Sequence, residues 1–273
     1  MNCSELLQFL KKTRRRPNRS LSQNFLIDEN IARKIVQLGT GSSVLEIGPG
    51  PGALTSHLLK TGATVYAIEK DPVFAGELNR LQTPDRRLCS IHADFLDFEL
   101  SKLPTGLAVV ANLPYRITTP ILEKLLAHRD RFSHFTLMVQ SEVADRITAN
   151  AGAKNFSSLS LFAQFHCQLK ASFKVAASCF YPKPKVDSKV ICLVLKEMPL
   201  KESALFFAIV RRAFQQRRKM IRVSLQSLYP ANLCRQALLA AHAEPDARPE
   251  TLTLDQWLVF FHFFNMSGYT ETT

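Results

Sequence analysis

The tetrapeptide Asn112-Leu113-Pro114-Tyr115 sets an amide, a main-chain carbonyl, a rigid ring and an aromatic face in series. These are the groups that could grip a flat, hydrogen-bonding heterocycle such as adenine. The exocyclic nitrogen of adenine is a poor nucleophile, because its lone pair is delocalised into the ring. An enzyme that methylates it must take up the amino hydrogens, so that the lone pair points at the methyl carbon. The side-chain oxygen of Asn112 and the carbonyl of Leu113 are the two acceptors. Pro114 restricts its own backbone and that of the residue before it, and Tyr115 offers a ring for stacking. Such chemistry is positioning and electrostatics, with no strong base and no covalent intermediate. Alone, the tetrapeptide reads equally well as a turn with an exposed aromatic. Its place directly after the apolar run LAVVA (107–111) favours a site, because ligands of open α/β sheets bind beyond the carboxyl ends of the strands.

A second constellation lies upstream. VLEIGPGPGALT (44–55) sets Gly48, Gly50 and Gly52 between a strand and a helix. Glycines there let the chain bend sharply and let a ligand approach main-chain atoms. Glu69 follows about 20 residues later, where nucleotide folds keep the acid that binds ribose hydroxyls. Asp94, in HADFLD (92–97), could accept a bond from an adenine amino group. Gly48-x-Gly50-x-x-Ala53 satisfies the dinucleotide pattern, so NAD remains a competitor. The E-x-G-x-G-x-G spelling is more typical of enzymes that use S-adenosylmethionine, which has no pyrophosphate to cradle.

These residues need elements to position them. SVLEI (43–47), TVYAI (64–68), LAVVA (107–111) and HFTLMV (134–139) read as buried strands alternating with helices, as in a parallel sheet covered on both faces. Residues 28–39 read as a helix capped by Asp28 and stopped by Gly39, and 53–62 as another. A strand pair is expected near 166–175 and 188–195. After residue 198 the pattern is helical only, with a long amphipathic helix over 207–229: Phe214, Ile221, Leu225 and Leu228 on one stripe, Arg211, Arg218 and Arg222 beside it. The expected organisation is a basic arm (1–20), a catalytic domain (21–198) and a helical domain (199–273).

The net charge is +12, and two windows carry the excess: residues 11–19 and 211–222 each hold six basic side chains and no acid. Without those twelve, basic and acidic side chains are equal at 23 each. Such blocks point to a polyanion, most often nucleic acid. No apolar run approaches the ~18 residues of a membrane span. The basic cluster follows the first apolar stretch, unlike a secretory signal. The six cysteines and seven histidines are scattered, without metal-ligand spacing. A cytoplasmic monomer with no metal is expected.

EIGPGPGALT, IEKDP, ADFL, NLPY and ITTPIL occur in order, joined by LSQNFL (21–26), VQSEVADRI (139–147), FYPKPKVDSKV (180–190), RRKMIRVSL (217–225) and ARPETL (247–252). Together they resemble the ribosomal RNA adenine dimethyltransferases, most of all the small-subunit branch, which dimethylates N6 of adjacent adenosines near the 3′ end of that RNA. The resemblance, over residues 20–260, implies a Rossmann-like class I methyltransferase sheet with helices on both faces plus a small all-helical C-terminal domain. It implies S-adenosylmethionine contacts at Asn24, Leu26, Gly48, Gly50, Glu69, Asp94, Phe95 and Asn112, and target-base contacts at Asn112, Leu113, Pro114 and Tyr115. Phe180 would cover the opposite face of a flipped-out adenine. Arg14, Arg15, Arg16, Arg211, Arg218, Lys219 and Arg222 would contact phosphates of small-subunit ribosomal RNA in a pre-ribosomal particle. Ala176-Ala177 depart from a usual Pro-Pro, Ser141 from a common lysine, and Phe156-Ser157 from a frequent Tyr-Gly. Three other readings stand beside this one: a non-catalytic ribosome assembly factor, an enzyme acting on large-subunit RNA, and an NAD enzyme.

Overall fold

The computed structural model describes residues 2–18, 23–39, 41–85, 87–198, 200 and 203–266. The chain divides into two compact units, Met1–Ala144 with Gln168–Leu195, and Asp145–Cys167 with Lys196–Thr273. The helices, in chain order, are α1 (Cys3–Lys12), α2 (Glu29–Leu38), α3 (Thr55–Lys60), α4 (Pro72–Glu77), α5 (Thr118–Ala127), α6 (Ser141–Ile147), α7 (Ser158–His166), α8 (Ala204–Phe214), α9 (Ile221–Ser224), α10 (Ala231–Ala240) and α11 (Leu254–Met266). The strands are β1 (Phe25–Leu26), β2 (Ser43–Ile47), β3 (Thr64–Glu69), β4 (Leu88–His92), β5 (Leu107–Asn112), β6 (Phe132–Gln140), β7 (Cys167–Val175), β8 (Phe180–Tyr181) and β9 (Ser188–Leu195).

The first unit is built on a seven-stranded sheet of order β4-β3-β2-β5-β6-β9-β7. Strands β4, β3, β2, β5 and β6 are parallel, and β9 joins β6 antiparallel. Val109, Val110 and Ala111 of β5 are wholly buried. That is why this strand reads as an unbroken apolar run rather than an alternating one. The strand order reverses direction between β2 and β5, so the chains leaving them diverge and open a crevice. Register makes that crevice specific: Ile47 lies opposite both Ile68 and Ala111. The glycine loop, Glu69 and Asn112 therefore emerge side by side.

Helix boundaries follow their caps. Asp28 accepts from the amides of Asn30 and Ile31 at the start of α2, and Gly39 ends it. The helix expected over 53–62 is shorter, Thr55–Lys60, because residues 50–54 stay in the turns that shape the loop. Residues 1–20, expected as a basic arm, contain a packed element. α1 opens with a reciprocal Asn2–Glu5 capping box and buries Leu6, Phe9 and Leu10 against Phe25 and Phe74.

The second unit buries a dense aromatic core of Phe156, Phe165, Phe206, Trp257, Phe260 and Phe264. Where a boundary is expected at 198–199, the second unit resumes at Lys196, and it also takes Asp145–Cys167. The reason is burial: Phe156 and Phe165 find their apolar partners on α8 and α11, not in the sheet. The single helix expected over 207–229 is broken. α8 ends at Phe214, a turn follows, and α9 starts after an extended Met220. Arg217 leaves the helical path to pair with Glu250 at 2.6 Å and to donate to the Lys154 carbonyl. Ile221 and Leu225 are buried as the stripe requires, but Leu228 is exposed, because the break turns it out of register.

Candidate active site

The crevice between β2 and β5 holds a cavity of about 240 Å³. Of the residues implicated by sequence, Asn24, Leu26, Gly48, Gly50, Glu69 and Asp94 line it, as do Phe95, Asn112, Leu113, Pro114 and Tyr115. They come from five separate stretches of chain, brought together by the strand order.

The glycine loop is shaped by conformations that only glycine adopts without strain. Gly48 and Gly50 have φ of 65° and 55°. A Cβ on Gly50 would lie 3.2 Å from the Phe25 ring, so the loop is pressed against the N-terminal segment. The loop is tied to β3 at two points. Gly48 N–H donates to the Ile68 carbonyl at 2.9 Å, and Gly50 N–H donates to Glu69 Oε2 at 2.9 Å. The other oxygen, Oε1, accepts from the Asp71 amide at 2.8 Å. Glu69 is thus held in one orientation by two main-chain donors, with lone pairs left for a ligand hydroxyl. Burial pushes its pKa up against the pull of those hydrogen bonds.

Glu46, one residue before the end of β2, was not singled out by sequence. It lines the cavity, is 1% exposed, and accepts from Thr55 Oγ1 at 2.7 Å. Burial, and secondarily the nearby Glu69, raise its pKa to about 8, so it is largely protonated at neutral pH. The signal was present: a carboxylate inside the apolar run SVLEI has to be satisfied or functional.

At the far side, Asp94 accepts from the Leu96 amide at 2.9 Å and is paired with Lys70. The Lys70 ammonium holds the Asp94 carboxyl below the ordinary range, so it is ionised at neutral pH. Phe95 is 4% exposed, and its ring forms a wall of the cavity. The Lys124 ammonium sits 5.4 Å from that ring and donates to the carbonyls of Leu96 and Phe98, which fixes this turn.

The Asn-Leu-Pro-Tyr segment is anchored at each residue the chemistry needs. Asn112 Nδ2 donates to the Asn24 carbonyl at 3.1 Å. Its amide hydrogen is thereby engaged, and Oδ1 is left as the acceptor. Leu113 N–H donates to the Met138 carbonyl on β6 at 3.0 Å, which sets the plane of the peptide. The Tyr115 hydroxyl and Ser188 Oγ hydrogen-bond at 2.8 Å, orienting the ring from β9. Burial of the phenol raises its pKa, so it stays neutral.

Phe180 does not join them. It is 2% exposed, pairs with Leu26 in the β1–β8 ribbon, and packs in the core with Leu26 and Val175. Phe180 is not among the residues that line the cavity; its pairing with Leu26 places it in the apolar interior. Among the basic residues, Arg14, Arg16, Arg211, Arg218 and Lys219 are exposed. Two others are engaged: Arg15 with Asp71 at 3.0 Å, and Arg222 with Asp246 at 2.8 Å. Among the described residues, no group of three or more His, Cys, Asp or Glu is placed to hold a metal ion. None of their helices is long and apolar enough to cross a membrane.

A cavity with a glycine loop on one wall, a buried ribose-type acid on the next and an oriented amide in its lining can hold an adenosine-bearing methyl donor beside a planar amine. Solved structures agree with that reading of the fold. A dimethyladenosine transferase from Plasmodium falciparum matches with a TM-score of 0.75 at 25% identity, over 89% of this chain and 98% of that one. The 23S rRNA methyltransferase ErmE matches with a TM-score of 0.71 at 29% identity, over 89% of this chain and 100% of that one. The fold is that of the class I S-adenosylmethionine-dependent methyltransferases. The sequence narrows the class. Residues 14–266 match the family model described as ribosomal RNA adenine dimethylase. The chain is also 46% identical to the ribosomal RNA small subunit methyltransferase A of Protochlamydia amoebophila (strain UWE25), over 95% of each. It belongs to the ribosomal RNA adenine dimethylase family.

Proposed function

We propose that this protein transfers methyl groups from S-adenosylmethionine to the N6 nitrogens of two adjacent adenosines near the 3′ end of small-subunit ribosomal RNA, forming N6,N6-dimethyladenosine. The observation that carries this reading is the anchored Asn112 amide lining a cavity that the glycine loop and Glu69 also line. Relatives called ribosomal RNA small subunit methyltransferase A, at 46% identity, favour the small subunit over the large-subunit target named for ErmE at 29%.

The methyl donor supplies a carbon activated by a positively charged sulfur. Glu69 takes the ribose hydroxyls, Asp94 an amino hydrogen of the donor's adenine, and Phe95 and Leu26 its apolar faces. Gly48 and Gly50 let the donor lie against main chain. Asn24 holds Asn112, as its hydrogen bond supports. The target adenine enters beside Tyr115. Asn112 Oδ1 and the Leu113 carbonyl accept its two amino hydrogens, which turns the nitrogen lone pair toward the methyl carbon. So held, the amine would face the donor's methyl carbon, and its proton would be free to leave to water. Pro114 keeps the carbonyl direction fixed through both rounds. Exposed Arg14, Arg16, Arg211, Arg218 and Lys219 contact RNA phosphates. The enzyme acts in the cytoplasm, as a monomer, on the RNA of an immature small subunit, and so takes part in its maturation.

The test is mass-spectrometric mapping of methylated nucleotides after incubation with immature small subunits, or with large subunits, and the methyl donor. Dimethyladenosine on small-subunit RNA supports the reading. Methylation confined to large-subunit RNA, or no adenosine methylation on either, contradicts it.

A further inference from the structure

Helix α1 precedes every motif that the function uses, yet it and the residue Arg15 beyond it connect to the donor cavity by three routes, two of them through residues behind its lining. First, Arg15, just past its C-terminus, pairs with Asp71 at 3.0 Å. Asp71 donates its amide to Glu69 Oε1 and caps α4 by accepting from the Val73 amide at 2.9 Å. Second, the Phe9 ring lies 4.5 Å beneath the Arg80 guanidinium, whose Nη2 donates to the Pro51 carbonyl of the glycine loop at 2.6 Å. Third, Leu6, Phe9 and Leu10 share an apolar cluster with Phe25 and Phe74. Phe25 meets Phe74 edge-on at 5.5 Å and is also the ring pressed against Gly50.

Each route leads to a different part of the donor wall: through Asp71 to Glu69, through Arg80 to Pro51 of the glycine loop, and directly to Phe25 in the segment carrying Asn24 and Leu26. A helix serving only to cover apolar surface needs the third contact alone. The first two place a cation on the residue that orients Glu69 and an aromatic face on the residue that holds Pro51. We infer that α1 is a positioning element of the methyl-donor site, and that Arg15 and Phe9 act through Asp71 and Arg80 to hold the Glu69 turn and the glycine loop in their binding geometry.

This inference rests on the proposed methyl-donor reading of the cavity. It assigns Arg15 to the donor site, not to RNA phosphate. A partly buried ion pair that preorganises a ligand acceptor shifts affinity by about three- to tenfold. The test uses the full chain with R15Q, R15K and F9L, titrating S-adenosylhomocysteine by calorimetry and measuring steady-state methyl transfer to immature small subunits. R15Q should raise the dissociation constant and the KM for the donor about three- to tenfold, with kcat, the KM for the RNA particle and the salt dependence unchanged. R15K should recover most of the loss, and F9L, which keeps the packing and removes the ring face, should show a smaller rise of the same kind. Two results overturn the inference while the functional reading stands: R15Q that lowers only Tm, or R15Q that keeps donor affinity but loses RNA affinity, with a salt slope smaller by about one. A wild-type chain that binds no donor overturns the functional reading and this inference with it.

Discussion

The side-chain amide of Asn112 donates to the main-chain carbonyl of Asn24, 3.1 Å away and 88 positions earlier in the chain. One bond therefore joins the segment proposed to face the donor to the residue proposed to orient the target amine. It settles which end of the Asn112 amide is left to accept a hydrogen.

Asn112→Asp keeps the shape and replaces the donor nitrogen with a second oxygen facing the Asn24 carbonyl. Two acceptors repel, and the acceptor geometry at the amine is lost. Methyl transfer should fall on the order of 10²-fold or more in kcat, as for removal of an oriented transition-state contact. Single-turnover kinetics on immature small subunits check this; a kcat within threefold of wild type, roughly 0.6 kcal/mol, would remove Asn112 from the chemistry.

Glu69→Gln leaves one oxygen to do the work of two, so either the Gly50 or the Asp71 amide loses its acceptor. A main-chain N–H left unpaired in this buried turn costs about 1–3 kcal/mol. Donor affinity should drop about tenfold or more, read by calorimetry with S-adenosylhomocysteine. The fold should survive, since the sheet register does not depend on this side chain.

Much of this was legible from local chemistry. The glycine loop, Glu69, Asp94 and Asn-Leu-Pro-Tyr carry their roles in residue type and spacing, and β2, β3 and β5 show as apolar runs because both faces of the sheet are covered. What could not be read depends on contacts between distant residues. Arg217, in the turn that breaks the expected long helix, pairs with Glu250, 33 positions on. Arg15 and Arg222 belong to basic windows without acids, and their partners, Asp71 and Asp246, lie far off in the chain. The burial of Phe180, which the resemblance sets over the face of a target base, rests on the two-residue pairing of β1 with β8. Segment 145–167 lies between sheet strands in sequence, and its phenylalanines commit it to the helical unit.

Glu46 predicts a pH signature. Its folded pKa, about 8, lies above that of an unfolded glutamate, so the folded state binds the extra proton. Stability from this group is fully present below the unfolded pKa and is lost as pH rises through about 8. The slope is about 1.4 kcal/mol per pH unit within that window. Glu46→Gln should remove this slope, so the variant gains on wild type as pH rises. Urea unfolding across the window measures it; parallel profiles for the two chains would place the Glu46 carboxyl elsewhere.

Gly50→Ala puts a Cβ at a φ of 55° and 3.2 Å from Phe25. The left-handed conformation alone costs about 1–2 kcal/mol for a residue with a Cβ. Phe25 must also yield, which disturbs the segment carrying Asn24. Stability should fall by about that amount, and donor affinity should fall further than for substitutions on the outer face of α3. Chemical denaturation and calorimetry together separate the two effects.

The most direct measurement is a crystal structure of this chain with S-adenosylhomocysteine. The ribose should lie at Glu69, the sulfur beside the Asn112 side chain, and the adenine between Asp94 and Phe95. Density for the ligand outside the β2–β5 crevice, or an Asn112 side chain turned away from it, would contradict the claim that one cleft holds both the donor and the target amine.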